Sequence, residues 1–174
     1  MRCTLLLFLS ALFVVCSCHK DRDLGPGFDL PYQQEFNIPV ALNVFEVHHF
    51  QLKNIPTRYA QSLTQASKTD AEVVGLLTAQ GNLGGVFGDA DLSFIEKMSV
   101  RVFNDGDPDD YIEVAYREPT PLDPGNNLPL IPTLADCKRL MTGSRFNIDV
   151  VLWLRKTTPT DTDVRLDLQL KAQY

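Results

Sequence analysis

Val164, Leu166, Leu168, Leu170 and Ala172 alternate without a break with Arg165, Asp167, Gln169 and Lys171. A repeat of two separates the apolar and polar sets cleanly only on an extended strand, because a helix would scatter both around its axis. One face of this strand must therefore be covered by a second layer. Upstream, Phe146, Ile148, Val150, Leu152 and Leu154 form one apolar face, and Val151 and Trp153 add apolar residues to the other. Burial on both faces marks a central strand. The spacing predicts that the two runs pair as an antiparallel hairpin at one end of a sheet.

Shorter strand patterns precede them. Glu35 to Val40 alternates, with Pro39 placing it at an edge or an end. A strand ends near Ile55 before Pro56, entered through a helical turn or a bulge around His48-His49. Glu72 to Ala79 reads as a strand with a bulge at Gly75, and Met98 to Phe103 and Tyr111 to Arg117 read as two more. Arg58 to Asp70 reads as loop, and Glu118 to Pro132, with five of the chain's eleven prolines, as an irregular connection. Thr133-Leu134-Ala135-Asp136 has the form of a capping box, followed by an apolar stripe of Leu134, Cys137 and Met141 beside Leu140, and by Gly143. Seven to nine short strands with one helix predict an all-β fold. The class is an antiparallel β-sandwich, jelly-roll or immunoglobulin-like, with one short helix before the last hairpin.

The residue types that could carry chemistry do not assemble into a site by spacing. His48 and His49 are neighbours on a strand and point to opposite faces, so they cannot hold one metal together; one ring is expected on the sheet and the other in solvent. Gly81 to Gly88 lacks the Lys-Ser/Thr that a phosphate loop needs, and Asp89 follows instead. It reads as a turn and a twisted short strand. Asp105, Asp107 and Asp109 lie in an acidic stretch between two strands and are the candidate ligands for a hard cation such as Ca²⁺. Their setting does not match the calcium loop of an EF-hand, and Asp, Asn, Gly and Pro also build hairpin turns. Cys137 sits in the apolar stripe as a small core residue. No catalytic residue and no cofactor are expected.

The amino-terminal residues give a destination. Arg2, the apolar run Leu5–Val15 broken by Ser10, and then small residues have the order of a secretory signal, with a core too short to cross a membrane. Val15-Cys16-Ser17-Cys18 resembles the lipobox of bacterial lipoproteins, in which the last cysteine is lipidated and becomes the mature amino terminus. The resemblance implies a signal peptide over 1–17 and lipidation at Cys18. Each buried acyl CH₂ contributes about 0.8 kcal/mol, so a diacylglycerol suffices as a membrane anchor. A polar, Gly- and Pro-containing tether over 18–31 and a single domain over 32–174 follow. Removing residues 1–17 leaves 157 of 174 residues, enough for one core. It also removes one base, Arg2, and no acid, taking the formal charge from −6 to −7. An acidic chain without a basic cluster is a poor ligand for nucleic acid.

The strand spacing, the helix before the final pair and the lipobox together resemble the small β-sandwich lipoproteins of Gram-negative bacteria. That resemblance implies a cell-envelope location at the outer membrane, on its periplasmic face or at the cell surface. The function expected is a membrane-anchored, non-catalytic binding or assembly module with an envelope protein or glycan as partner. The alternative is a carbohydrate-binding or glycan-processing sandwich using carboxylates with exposed aromatics such as Tyr111 or Tyr116.

Overall fold

A computed structural model describes residues 25–88 and 90–174, so Cys18, the signal segment and Asp89 lie outside the described residues. Eight strands follow in order: β1 (Gly27–Ile38), β2 (His48–Pro56), β3 (Gly75–Gly85), β4 (Ile95–Asn104), β5 (Asp107–Arg117), β6 (Asn127–Pro132), β7 (Arg145–Leu154) and β8 (Thr162–Gln173). Helix α1 (Tyr59–Gln65) and a 3₁₀ turn at Asp70–Glu72 lie between β2 and β3, and α2 (Lys138–Met141) lies between β6 and β7. Every ladder is antiparallel, in the order β1-β8-β3-β6-β5-β4-β7-β2. The fold is therefore all-β. Its two end strands, β1 and β2, face each other through side chains: the rings of Phe36 and Phe50 lie 5.2 Å apart, so the sheet curls into a nearly closed, barrel-like body.

β7 is central, as its two apolar faces predict, and β8 is flanked on both sides as well, but the two do not pair with each other. β8 lies between β1 and β3, and β7 lies between β4 and β2. The hairpin expectation fails because each strand is already laddered on both sides. Register with those neighbours places β8's apolar set against the core: Val164, Leu166, Leu168 and Leu170 are all at most 2 % exposed. The connection 155–161 crosses from one half of the sheet to the other, held by the buried Thr158, whose hydroxyl donates to the Pro39 carbonyl at 2.7 Å.

Five other expectations change. Strand β1 starts at Gly27, five residues before Tyr32, so Gly27 to Pro31 belong to the body and not to the tether. Phe28 packs near Tyr59 and Tyr174, Leu30 is buried, and Pro31 is tolerated because β1 is an edge strand. Residues 127–132 form β6 within the supposed irregular connection. Asn127–Leu130 ladder only with β3, and Ile131 and Pro132 only with β5, so each stretch is paired on one side and its prolines fit.

The glycine run extends β3 as a single strand with its bulge between Thr78 and Gln80, not at Gly75. At Gly81 a Cβ would lie 3.2 Å from Leu130 Cβ, which is why this position carries no side chain where β3 meets β6. The helix shrinks to the four residues of α2. The Thr133 hydroxyl donates to the Glu113 carbonyl at 2.7 Å and accepts from the Ala135 amide at 3.4 Å, but α2 begins only after Cys137, beyond the reach of that cap, and Leu134 is 71 % exposed. Asp136 instead accepts from the Leu76 and Lys138 amides at 2.8 and 2.9 Å. Arg58 to Asp70, read as loop, contains α1. Behind it stands a capping box formed by Thr69 and Glu72.

Candidate binding groove

The acidic stretch covers the Asp105–Gly106 turn between β4 and β5 and the first residues of β5, and its carboxylates go to different places. Asp105 accepts from Asn147 Nδ2 at 2.7 Å. Asp107 accepts from the backbone amides of Asp109 and Asp110 at 3.1 and 3.3 Å, an arrangement that closes the turn. Asp110 forms a two-toothed pair with Arg139 at 2.5 and 2.6 Å, which holds its carboxyl below the usual range. No group of three acidic, histidine or cysteine side chains converges as metal ligands among the described residues. Cys137 is fully buried and its thiol donates to the Leu76 carbonyl at 3.3 Å; burial, with the nearby Asp136 charge, pushes it up to about 12.

The histidines diverge, as expected for neighbours on a strand. His48 Nε2 meets the Asn43 carbonyl at 2.8 Å, and His49 Nδ1 meets Asp149 Oδ2 at 2.8 Å. The His49–Asp149 pair joins residues a hundred positions apart on β2 and β7, a contact for which local spacing carries no signal. It pairs an imidazole with a carboxylate, and Ser99 is the hydroxyl in the same cross-strand row. In the ladder Val151 stands between His49 and Ser99, which puts them two strand spacings apart, about 10 Å. Ser99 Oγ donates instead to Glu113 at 2.5 Å. The pair and this hydroxyl are therefore not hydrogen-bonded to each other.

The polar concave surface lies elsewhere. On the outer face of β1, β8 and β3, Gln33, Asp167 and Asn82 form one cross-strand row, and Pro31, Gln169 and Gln80 form the next. Strand alternation puts them there: the residues between them, Tyr32 and Leu168, belong to the core. These rows line a cavity of about 530 Å³ that continues toward β2, where Ile55, Pro56 and Arg58 complete its wall. Gln33 Nε2 donates to Asp167 Oδ1 at 2.9 Å, and Arg165 Nε meets the same carboxylate at 3.2 Å. The side chains of Gln80, Asn82 and Gln169 have no hydrogen-bond partner among the described residues, and Arg58 stands in no ion pair there.

The backbone of Arg58 is left-handed, with φ 54°, and this bend swings the chain from β2 into α1 at the groove's edge. Below the groove the Tyr32 hydroxyl donates to the Thr57 carbonyl, and burial raises its pKa well above the ordinary tyrosine value. The floor is therefore neutral and fixed, while the walls offer amide donors, amide acceptors, the Arg58 guanidinium and the Asp167 carboxylate. Such a surface suits an uncharged, hydroxyl-rich or amide-rich ligand, which can exchange one hydrogen bond for another without desolvating a full charge.

The aromatic candidates stand apart from this groove. Tyr111 is 43 % exposed on β5 with the Arg101 guanidinium 4.4 Å above its ring, and Tyr116 is half-buried on the same strand. Sequence reading missed the groove because residues 33, 82 and 167 meet only through strand order. Comparison of the chain with models of known protein families gives no match, and neither does comparison with curated protein sequences.

Proposed function

We propose that the chain is a lipoprotein of the bacterial cell envelope, acylated at Cys18 and held at the outer membrane, with no catalytic role. It presents the groove on β1, β8 and β3 as a binding seat. The groove carries this reading: three amide side chains without hydrogen-bond partners among the described residues, and a guanidinium in no ion pair there, converge on one cavity. The lipobox supports the anchor, and nine positions of sequence separate Cys18 from the first residue of β1. The groups β1-β8-β3-β6 and β2-β7-β4-β5 in the strand order favour reading the body as a jelly-roll sandwich. Intact-mass measurement of the protein extracted from envelopes tests the anchor. A diacylated Cys18 terminus is expected, and an unmodified terminus overturns it.

A second reading, carbohydrate recognition, is favoured by the make-up of the groove. Planar amides and a carboxylate in adjacent rows match vicinal sugar hydroxyls, which donate and accept together. A glycan array with the purified chain tests it. Retention of a saccharide that is lost in Gln169→Ala and Asn82→Ala is the expected result. Saccharide binding unchanged in both variants, or no retention at all, removes it.

A further inference from the structure

Four connections gather at the end of the body opposite Gly27, and two of them form an apolar face. Residues 39–47 join β1 to β2, and residues 118–126 join β5 to β6. Phe45 is 92 % exposed and Leu122 is 82 % exposed, with Val40, Val44 and Val47 also in solvent. Val44 and Leu122 line a common cavity of about 630 Å³ together with Glu96, Pro119, Thr120 and Arg155. Single exposed apolar side chains are ordinary, but a cluster of this kind at one end marks an interaction site.

The face is built rigidly. Asn43 Oδ1 accepts from the Phe45 and Glu46 amides at 2.9 and 3.1 Å, which holds Phe45 at the tip of a tight turn. Thr158 fixes the base of the loop: its carbonyl accepts from Ala41 at 3.0 Å, and its hydroxyl from the Leu42 amide at 2.9 Å. On the other side Leu122 stands between Pro121 and Pro124, and the Thr120 amide donates to the Glu96 carbonyl at 2.9 Å. An apolar anchor held in place before contact loses little entropy on binding.

Charge identifies what covers it. Glu46, Glu96 and Asp123 surround the face, all exposed and none in an ion pair among the described residues. The one cation lining the cavity, Arg155, spends its guanidinium on the carbonyls of Ile95 and Thr120 at 3.1 and 2.9 Å. An acidic rim disfavours an anionic lipid surface, and it disfavours a second copy, which would bring the same carboxylates together. The anchor points the same way. Nine residues reach at most about 30 Å, so turning this face squarely onto the leaflet that holds Cys18 would stretch them to their limit. We infer that this end of the body docks another envelope protein through a short apolar segment flanked by lysine or arginine.

Fluorescence anisotropy on the purified full chain tests this with two labelled probe peptides, one Leu/Phe core flanked by lysines and the same core flanked by glutamates. The lysine-flanked peptide is expected to bind at least tenfold tighter. Phe45→Ser and Leu122→Ser should each weaken it at least tenfold, and the triple variant E46Q/E96Q/D123N should erase the preference between peptides. Equal binding of the two peptides, absent binding, or unchanged binding by Phe45→Ser and Leu122→Ser overturns the inference. So does displacement of the peptide by vesicles of anionic phospholipid, or a dimer in sedimentation that Phe45→Ser dissolves. The inference uses the proposed anchor only for orientation. Peptide binding does not depend on acylation, and the mass of Cys18 is read separately, so the two failures are distinct.

Discussion

Phe36 on β1 and Phe50 on β2 lie with ring centroids 5.2 Å apart and planes inclined at 37°, across the one gap in the strand order that no ladder closes. Every other neighbouring pair of strands is joined by backbone hydrogen bonds, whereas here the join is made by rings. Tyr32 of β1 reaches past the seam to β7, packing edge-on against Phe146 at 5.0 Å, while its hydroxyl donates to the Thr57 carbonyl just after β2. Cutting the ring contact should loosen the seam without removing a ladder. Phe36→Ala and Phe50→Ala are each expected to cost about 1–3 kcal/mol, below the full range for a buried ring because both are partly exposed. Urea unfolding should show a lower midpoint at unchanged slope.

Backbone crowding gives a sharper contrast between two glycines. At Gly85, where β3 ends, a Cβ would lie 2.3 Å from Ala90 Cβ and 3.0 Å from the Phe87 carbonyl oxygen. At Gly106, in the hairpin turn, a Cβ would have nothing within 4 Å. Gly85→Ala should therefore destabilise by about 1–3 kcal/mol through forced displacement of the neighbouring loop, and Gly106→Ala should be tolerated. Thermal unfolding of the two variants side by side measures the difference, and equal melting temperatures would refute it.

What the sequence makes legible is the facing of each strand, and what it hides is the pairing. The alternation from Val164 to Ala172 assigns five side chains to the core, and all five are buried. Whether β8 lies beside β7 or β1 depends on contacts such as Gln33 with Asp167, 134 residues apart, to which a local pattern is blind. The same limit hides the groove, whose rows combine three distant strands, and the His49–Asp149 pair. Thr133 shows a different kind of loss. Its hydroxyl donates to a carbonyl of β5 and accepts from the Ala135 amide, so Thr133 stays with the strand while the helix starts only after Cys137 and keeps one turn.

Part of the acid dependence of stability should come from the α1–β3 connection, small because Glu72 and Asp70 are solvent-screened. Glu72 is held down to about 2, first by the Thr69 amide and then by Lys68 and the Thr69 hydroxyl, and the Tyr59 hydroxyl lowers Asp70 beside it. With a folded pKa below the ordinary 4.5, the unfolded chain binds the proton more readily. The stability is then present above pH 4.5 and lost as pH falls toward 2. Glu72→Gln should flatten this acid limb, read as urea midpoints between pH 5 and 2.5. An unaltered slope would sink the assignment.

Alkali should act in the opposite sense through Cys137. Burial, followed by the Asp136 charge, lifts its thiol from an ordinary 9.0 to about 12, and burial raises Tyr32 as well. Above pH 9 the unfolded chain releases protons that the native chain keeps, so stability declines from pH 9 toward 12. Cys137→Ala leaves a small void, expected to cost about 1 kcal/mol at neutral pH, but removes one titrating group from that decline. Its midpoint should fall less steeply between pH 9 and 11 than that of the native chain. The same burial predicts that a thiol reagent at pH 8 labels Cys137 only as fast as the body opens, so that labelling speeds up with sub-denaturing urea. Rapid labelling of the native chain in the absence of urea would contradict the buried, protonated thiol.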